Sequence, residues 1–511
     1  MNAIRPGLRQ TMAWLHGWAG LVLGWLLFAI AASGTASVFK AETSDWMRPE
    51  ISGTASQIDA LSRALSWLGK TAPTSPDWYL TPPDGRSTAT IASYEDVGAV
   101  GDARYRMVAL SPLTGRPEGI RDTLGGEFLY RFHFELQLPY PWGRLLASAA
   151  AMLLLVTLLS GIITHRRIFA DFFTMRPGKG KRSWLDAHNA LGVLAMPFHL
   201  MIAITGVLTL ISLTLPWAAA ARYAADIARY DAEAAPGLVE RARVNRPARA
   251  IDSAAMLTDA VRRFGGGWIG QVSVTNPGDA AAVLRVTRND ADQLAYGAAT
   301  ASYDMPSGRL IAFHAETRPA QRTYKILYGL HMGRFAPILA HWLYFLCGLA
   351  LTATIATGLI LWTQSRAAAD SMGHRLVARL TAGTVAGMPL AIAGYFWANR
   401  LIPIATENRA ANEVAAFFMI WAAAYLFALS QPTKGGWVVL WTAAGAAWVS
   451  LPLISALTTT RGLNTSLAAG DWTFAAFDIV SLGLGMLAGR IALVTARHRP
   501  PAPRARRSVS A

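Results

Sequence analysis

The sequence is poor in cysteine and in charged residues. It has one cysteine, Cys347, among 511 residues, which excludes an intrachain disulfide and a cysteine-ligated zinc or iron–sulfur site. Charged residues make up only 15% of the chain, whereas soluble proteins carry about a quarter. Hydrophobic residues make up 53%, and the mean hydropathy is +0.30. This composition indicates a membrane protein.

Nucleotide-binding motifs are also missing. No glycine-rich phosphate loop, Walker A run or dinucleotide fingerprint follows a predicted strand, so we expect neither NAD(P)H binding nor ATP hydrolysis. Acidic residues number 31 against 47 basic ones, giving a net charge of +16. Nucleic-acid binding is not expected, because the aromatic residues lie within apolar spans and do not alternate with the basic clusters. Those clusters, in 165–182 and 497–507, flank apolar spans, and the positive-inside rule places them in the cytoplasm.

Apolar segments long enough to cross a bilayer, about 20 residues, occur eight times. The first is too long for a signal peptide and has no evident cleavage site, so we expect it to be retained as a helix. We predict a mainly α, polytopic bundle in the bacterial inner membrane, with both termini cytoplasmic. The predicted spans are 12–38, 143–164, 187–213, 336–363, 376–397, 413–430, 436–457 and 473–495.

Two polar stretches separate the early spans. Each has a helix-like piece followed by alternating, strand-like segments and a turn signal such as Ser111-Pro-Leu-Thr-Gly115. They predict two small periplasmic α+β domains. The full predicted organisation is helix 1 in 1–39, an outer domain in 40–135, helices 2 and 3 in 136–214, an outer domain in 215–330, helix 4 in 331–366, helices 5 to 8 in 367–496 and a basic tail in 497–511.

The first 365 residues contain two copies of one pattern. The first and third spans open on Trp14-Leu-His16-Gly and Trp184-Leu-Asp-Ala-His188. Phe128-Leu-Tyr-Arg-Phe-His133 precedes the second span and parallels Ile326-Leu-Tyr-Gly-Leu-His331 before the fourth. Both copies run in the same direction, so we expect them to pack about an axis normal to the membrane.

Glycines follow the same repeat. From His16 to Gly34 is 18 residues, and from His188 to Gly206 is also 18. Glycines near the spans, such as Gly161, Gly206 and Gly358, let a porphyrin or a neighbouring helix approach closely, and close helix packing alone explains them about as well.

Histidines provide the candidate site. An ionisable residue within a membrane is a functional hypothesis by default, and neutral imidazole is a common axial ligand of haem iron. In the repeat, His16 matches His188 near the cytoplasmic face, and His133 matches His331 near the periplasmic face. A haem on the repeat axis would receive one imidazole from each copy. We therefore predict two b-type haems whose iron is held by these four histidines.

A second assignment of the ligands is open. His188 and His199 are 11 residues apart, close to three turns of one helix and about 16 Å. The third helix would then ligate both haems, with His16 or His165 as the inner partner and His341, His331 or His133 as the outer one. The remaining interpretation is that these histidines have only a structural role at the ends of the helices. The candidate cofactor ligands are His16, His188, His133, His331, His199 and His165.

Several ordered motifs resemble the PepSY-associated transmembrane proteins, also called iron-regulated membrane proteins. The resemblance covers about residues 8–366 and implies four helices, periplasmic PepSY-like domains and two b haems. His341 lies outside these motifs. They are Trp14-Leu-His16-Gly-Trp, Gly161-Ile-Ile-Thr-His165-Arg-Arg, Arg182-Ser-Trp-Leu-Asp-Ala-His188-Asn, Pro197-Phe-His199 and Leu330-His331-Met-Gly.

The family includes inner-membrane reductases that release iron from ferric siderophores. The resemblance therefore implies a haem-dependent reductase of periplasmic ferric siderophore, supplied with electrons by a quinol or a cytoplasmic reductase. Residues 376–495 lie outside the common core and resemble the extension of a longer subgroup. Two alternatives are a non-enzymatic PepSY module that binds or inhibits a periplasmic partner, and a transporter.

The predicted topology can be tested by cysteine labelling in a Cys347→Ala background. A cysteine at position 290 should react with an impermeant thiol reagent in cells whose inner membrane is intact, because the positive-inside rule places that segment in the periplasm. A cysteine in 165–182 should react only after that membrane is permeabilised. Labelling of position 290 only after permeabilisation would contradict the topology.

Overall fold

A computed structural model describes residues 7–99, 104–165, 174–224, 226–234, 237–248, 252–297, 299–335, 337–366 and 371–498. The chain forms two compact units. The first comprises Met1–Ser365 with Ile402–Ala411, and the second comprises Arg366–Leu401 with Asn412–Ala511. The break at Ser365 lies beside the predicted boundary at 366. Of the predicted basic segments, Arg166, Arg167 and the tail beyond His498 lie outside the described residues.

Helices dominate both units. In the first unit they are α1 (Leu8–Val22), α2 (Gly24–Ser37), α3 (Lys40–Trp46), α4 (Gln57–Thr71), α5 (Gly126–Glu135), α6 (Trp142–Thr164), α7 (Lys181–Leu194), α8 (Met196–Thr209), α9 (Ile211–Thr214), α10 (Trp217–Tyr223), α11 (Ile227–Ala234), α12 (Ser253–Arg263), α13 (Pro319–Met332) and α14 (Ile338–Ser365). The others are α15 (Met372–Val385), α16 (Gly387–Leu401), α17 (Arg409–Ser430), α18 (Thr433–Thr458), α19 (Leu463–Ala469) and α20 (Trp472–Arg497).

Among the described residues, six helical segments are long and apolar enough to cross a membrane. They are α6, α14, the combined α15 and α16, α17, α18 and α20. Two bent pairs, α1 with α2 and α7 with α8, bring the number of possible spans to eight. The predicted polytopic helical fold is therefore confirmed.

The two bent pairs occupy equivalent places in the repeat. The bend is 67° between α1 and α2 and 69° between α7 and α8. It falls at Leu23 and at Ala195, each seven residues after the histidine of its span, His16 or His188. Pro197 lacks an N–H and fits the first turn of α8, so the new helix starts there at no hydrogen-bond cost. The sequence analysis predicted each of these spans as one uninterrupted helix. The structure instead divides each span into two helices at the bend.

In the part of the chain that the structure describes, the polar stretches between the spans form one antiparallel sheet of seven strands, in the order β3-β2-β1-β4-β5-β6-β7. The first stretch supplies three of them and the second supplies four. The central pairing is between β1 and β4, where Trp78 lies opposite Val274. The strands are β1 (Asp77–Thr81), β2 (Thr90–Glu95), β3 (Tyr105–Leu110), β4 (Ile269–Thr275), β5 (Val283–Arg288), β6 (Ala299–Asp304) and β7 (Leu310–Ala315).

A single apolar core joins the two α+β stretches. Helices α4 and α12 begin at capping side chains, Ser56 and Asp252, and turn apolar faces toward the sheet. Leu61 and Leu68 of α4 and Leu257 of α12 share one buried cluster with residues of both halves of the sheet. The sequence predicted both α+β stretches, and the structure shows that they are fused through β1 and β4.

Two amphipathic helices connect the sheet to the spans. Helix α5 packs on α2 and leads into α6, and α13 packs on α8 and precedes α14. Each ends at a residue in the left-handed conformation, Leu136 with φ 55° and Gly333 with φ 64°. The pseudo-symmetric pair α5 and α13 marks what we call the sheet side of the helices.

The second unit contains a buried polar network. Asn399 donates to Glu413 Oε1 at 2.9 Å, and Arg400 donates to Asn399 Oδ1 at 2.6 Å and to Ser455 Oγ at 3.3 Å. All four residues are less than 5% exposed. Buried polar groups of this kind are tolerated in a membrane bundle because they satisfy one another.

Candidate functional site

His16 and His188 face each other at the end of the helices away from the sheet, and we call them the distal pair. Their ring centroids are 6.1 Å apart, with an angle of 75° between the rings. His16 Nδ1 lies 2.8 Å from the carbonyl oxygen of Thr157 on α6, and His188 Nδ1 lies 2.9 Å from that of Thr354 on α14. A carbonyl only accepts, so Nδ1 carries the proton and donates it. The neutral ring then keeps its lone pair on Nε2.

His133 and His331 form the sheet-side pair, with ring centroids 6.2 Å apart and rings inclined by only 25°. His133 Nδ1 donates to the Ile30 carbonyl on α2 at 2.7 Å. His331 Nδ1 lies 3.1 Å from Thr205 Oγ1 on α8. That hydroxyl already donates to the Met201 carbonyl at 2.6 Å, so it accepts from His331. The sheet-side histidines therefore have the same tautomer as the distal ones.

All four rings rest in one kind of notch. A carbonyl of a neighbouring helix faces Nδ1, and a glycine four residues later leaves room for the ring. A Cβ on these glycines would approach the rings to between 2.5 and 3.2 Å, closer than ordinary van der Waals contact. The carbonyl and glycine pairs are Thr157 with Gly161, Thr354 with Gly358, Ile30 with Gly34 and Ile202 with Gly206.

The repeat explains why the notches lie where they do. From His16 to Ile30 is 14 residues, and from His188 to Ile202 is also 14. Each bent span thus carries one imidazole of the distal pair and the notch for one imidazole of the sheet-side pair. Fourteen residues of helix extend about 21 Å at most, which bounds the separation of the two pairs along each span.

The separation within each pair fits coordination of one metal by two imidazoles. With a metal–nitrogen bond of about 2 Å and a ring nitrogen about 1 Å from its ring centre, two axial imidazoles have centroids about 6 Å apart. No group of three or more His, Cys, Asp or Glu suited to a metal ion occurs among the described residues. Two donors are too few for a zinc or calcium site, whereas haem iron takes only axial ligands from the protein. The donor set therefore fits haem.

Two other candidate histidines are not brought into such pairs. His199 on α8 is fully buried, and its ring lies near the backbone of Cys347 on α14. His165, at the end of α6, accepts at Nε2 from Asn189 Nδ2 at 2.9 Å. The pairs that the structure brings together are those of the symmetric assignment.

His341, one of the candidate outer partners in the second assignment, already has a hydrogen-bond partner at its Nε2 atom. The Arg86 guanidinium donates to this nitrogen at 2.8 Å and also forms a two-bonded ion pair with Glu42. Arg86 lies in the loop between β1 and β2, so this network ties the sheet to α14. The sequence analysis missed Arg86 because no local pattern connects it to a histidine 255 residues away.

Comparison with known proteins now identifies the family. The model described as the PepSY-associated TM region matches residues 13–365. The chain belongs to this family. A Pseudomonas aeruginosa relative, described as an uncharacterized protein, is 30% identical over 330 residues, which are 61% of this chain and 81% of the relative. The family match contains both histidine pairs and ends at Ser365, where the first compact unit also ends.

The notch geometry predicts opposite effects for two glycine substitutions on the same bent span. Gly20→Ala should keep or raise thermal stability, because nothing lies within 4 Å of its Cβ and alanine favours a helix by about 1 kcal/mol. Gly34→Ala should lower stability by about 1–3 kcal/mol, because its Cβ would lie 2.5 Å from His133 Nδ1. Thermal unfolding of the purified protein, followed by tryptophan fluorescence, measures both. Equal stability of the two variants would contradict the notch.

Proposed function

We propose that the first unit binds two b-type haems, one between His16 and His188 and one between His133 and His331. Electrons would cross the membrane through them and reduce a ferric siderophore in the periplasm, releasing the iron. The observation that carries this proposal is the pair of facing imidazoles, found twice, at a separation that suits axial ligation. A chance cluster of histidines would not repeat the tautomer, the acceptor at Nδ1 and the glycine in both pairs.

The residues have separable roles in this mechanism. Bound haem iron would supply one-electron oxidation and reduction, which no protein side chain in either pair provides. The histidines would hold the iron through Nε2, and the acceptors at Nδ1 would orient the rings and increase the basicity of the ligating nitrogen. The glycines allow close approach of helix and ring. The bent spans hold the two pairs at opposite ends of the same helices.

The position of the sheet supports outward transfer if the sheet domain lies in the periplasm, as proposed. The sheet-side pair lies on α5 and α13, the helices that join the sheet to the spans, so an acceptor held by the sheet domain would be near it. Ferrous iron binds hard-oxygen chelators less tightly than ferric iron, so one electron added to the complex would release the metal. Electrons would enter near the distal pair, from a quinol or a cytoplasmic reductase.

A second candidate function is transport, and the buried network of the second unit favours it. Asn399, Arg400 and Glu413 are the kind of intramembrane polar residues that mark ion or substrate pathways. Haem content distinguishes the two functions. A haem-free protein, purified after expression with ample haem, would favour transport or a non-enzymatic PepSY module.

Single histidine substitutions should each remove one haem. His16→Ala or His188→Ala should abolish the distal haem and retain the sheet-side one, and His133→Ala or His331→Ala should do the reverse, because no other side chain replaces an axial imidazole. Redox-titrated visible spectra with a pyridine haemochromogen assay measure the stoichiometry. His314→Ala, whose ring lies beside Glu316 in the sheet domain, is the matched control and should retain both haems. Loss of a haem from His199→Ala but not from His133→Ala would instead favour the shared-helix assignment.

The reaction itself can be followed on the reduced protein. After dithionite reduction and removal of excess reductant, a ferric siderophore should reoxidise the wild-type protein, and a colorimetric chelator should trap one ferrous ion per electron lost. His133→Ala should react at least about tenfold more slowly, since it would lack the haem nearest to the acceptor. A reduced protein that is inert to a panel of ferric chelates, yet reacts with a quinone or a periplasmic protein, would remove the siderophore from the proposal.

A further inference from the structure

An aromatic and cationic cluster lies next to the sheet-side pair. Tyr130 and Tyr328 occur three residues before His133 and His331, so each lies about one helical turn from its histidine. Tyr296, in the segment between β5 and β6, packs against Tyr328 with ring centroids 4.6 Å apart and the rings tilted by 41°.

The fourth member of the cluster is Arg334. Its guanidinium carbon lies 5.5 Å from the centre of the Tyr296 ring, and it interacts electrostatically with Tyr130 and Tyr328. We call Tyr130, Tyr296, Tyr328 and Arg334 the Arg334 cluster.

Arg334 is a cation without a carboxylate partner. It is half-buried, and it forms no ion pair and no hydrogen bond with any residue in the described part of the chain. Arginines removed from water are normally paired, because an uncompensated buried charge is costly. The two neighbouring lysines are already engaged. Lys40 is 2.8 Å from Glu127, and Lys325 donates to the Gly297 carbonyl at 2.7 Å.

The carboxylate that faces Arg334 offsets its charge only in part. Asp290 interacts with the guanidinium electrostatically but lies beyond ion-pair distance, and it accepts from the Gly297 N–H at 2.7 Å. Burial raises the pKa of Asp290 above its ordinary value. Glu127 is neutralised by Lys40. An anion bound beside Arg334 would therefore interact with a positive charge that no ion pair among the described residues neutralises.

The tyrosines add aromatic rings and hydroxyls with few partners. All three residues are half-buried, and the Lys40 ammonium nitrogen lies 4.4 Å from the centre of the Tyr130 ring. Tyr130 donates only a weak bond, at 4.0 Å, to Met332 Sδ, and the hydroxyls of Tyr296 and Tyr328 bind no described residue. Aromatic faces favour stacking of a planar ring, and a guanidinium favours two-bonded pairing with adjacent anionic oxygens.

We infer that the Arg334 cluster binds the chelate as an anion with aromatic, catecholate-type donor groups, an inference that rests on the proposed reductase function. The aryl ring would stack on the tyrosines, and the anionic oxygens would pair with Arg334. Neutral hydroxamate complexes lack both features. The cluster thus selects anionic aromatic ferric complexes and holds them one helical turn from the sheet-side pair.

Gallium(III) complexes test the binding without electron transfer, because gallium(III) matches ferric iron in charge and size but is not reduced. Wild-type protein in phosphatidylcholine nanodiscs should bind an anionic gallium tris-catecholate at least about tenfold more tightly than a neutral gallium trihydroxamate, measured by tryptophan quenching and calorimetry. Arg334→Gln should weaken the tris-catecholate about tenfold or more, as expected for a charge-assisted contact. Arg334→Lys should be intermediate, because it keeps the charge but not the fork of donors. Tyr296→Leu should also weaken it.

Arg322→Gln is the matched control, since Arg322 is an exposed arginine on α13, the helix that ends just before Arg334, and its binding should equal that of the wild type. Equal affinity of Arg334→Gln and wild type, or equal affinity for the two complexes, would overturn the inference. So would loss of the Arg334-dependent binding when phosphatidylglycerol is added, because Arg334 would then be a ligand of lipid phosphate. If the gallium complex binds as expected but its ferric counterpart leaves the reduced protein unchanged, the binding site stands and the reductase proposal fails.

Discussion

The hydrogen bond from a histidine Nδ1 to an acceptor on a neighbouring helix determines much of the first unit. In three of the four cases the acceptor is a main-chain carbonyl, so it stays in place if side chains change. The bond sets the tautomer, fixes the orientation of the ring and requires a glycine one turn further along the acceptor helix. Helix packing and ring orientation therefore depend on each other. A shift of one helix against its neighbour would move the acceptor atom and so rotate the imidazole ring.

The same constraint explains the bent spans. In a straight α1–α2 or α7–α8 helix, one end would carry an imidazole and the other end would form the notch for α5 or α13. Helical periodicity would then fix the angle between the two faces. The bend at Leu23 and Ala195 frees the two halves from that periodicity. Each half can then pack on a different neighbour, α1 on α6 and α2 on α5 and α14.

Much of this arrangement could be predicted from the sequence because the repeat supplied a second copy of each signal. Equal spacings after His16 and His188 indicated that the two histidines occupy equivalent places, and equivalence about an axis makes them neighbours. The apolar spans and both α+β stretches followed from local patterns. The pairing of β1 with β4, the contact of Arg86 with His341 and the position of Arg334 depend on segments far apart in the chain, and no local periodicity encodes them.

The continuous sheet bears on how such a chain could have arisen. Strands β1 and β4 are the first strands of their respective copies, and they pair antiparallel, as two identical strands do across a two-fold axis. A chain with a single copy would leave that strand as an open edge and would have half of each histidine pair. Two such chains, paired through these edge strands, would complete both the sheet and the two histidine pairs. The present molecule has the architecture of a homodimer whose subunits were joined by gene duplication and fusion, after which one half alone could acquire Arg334.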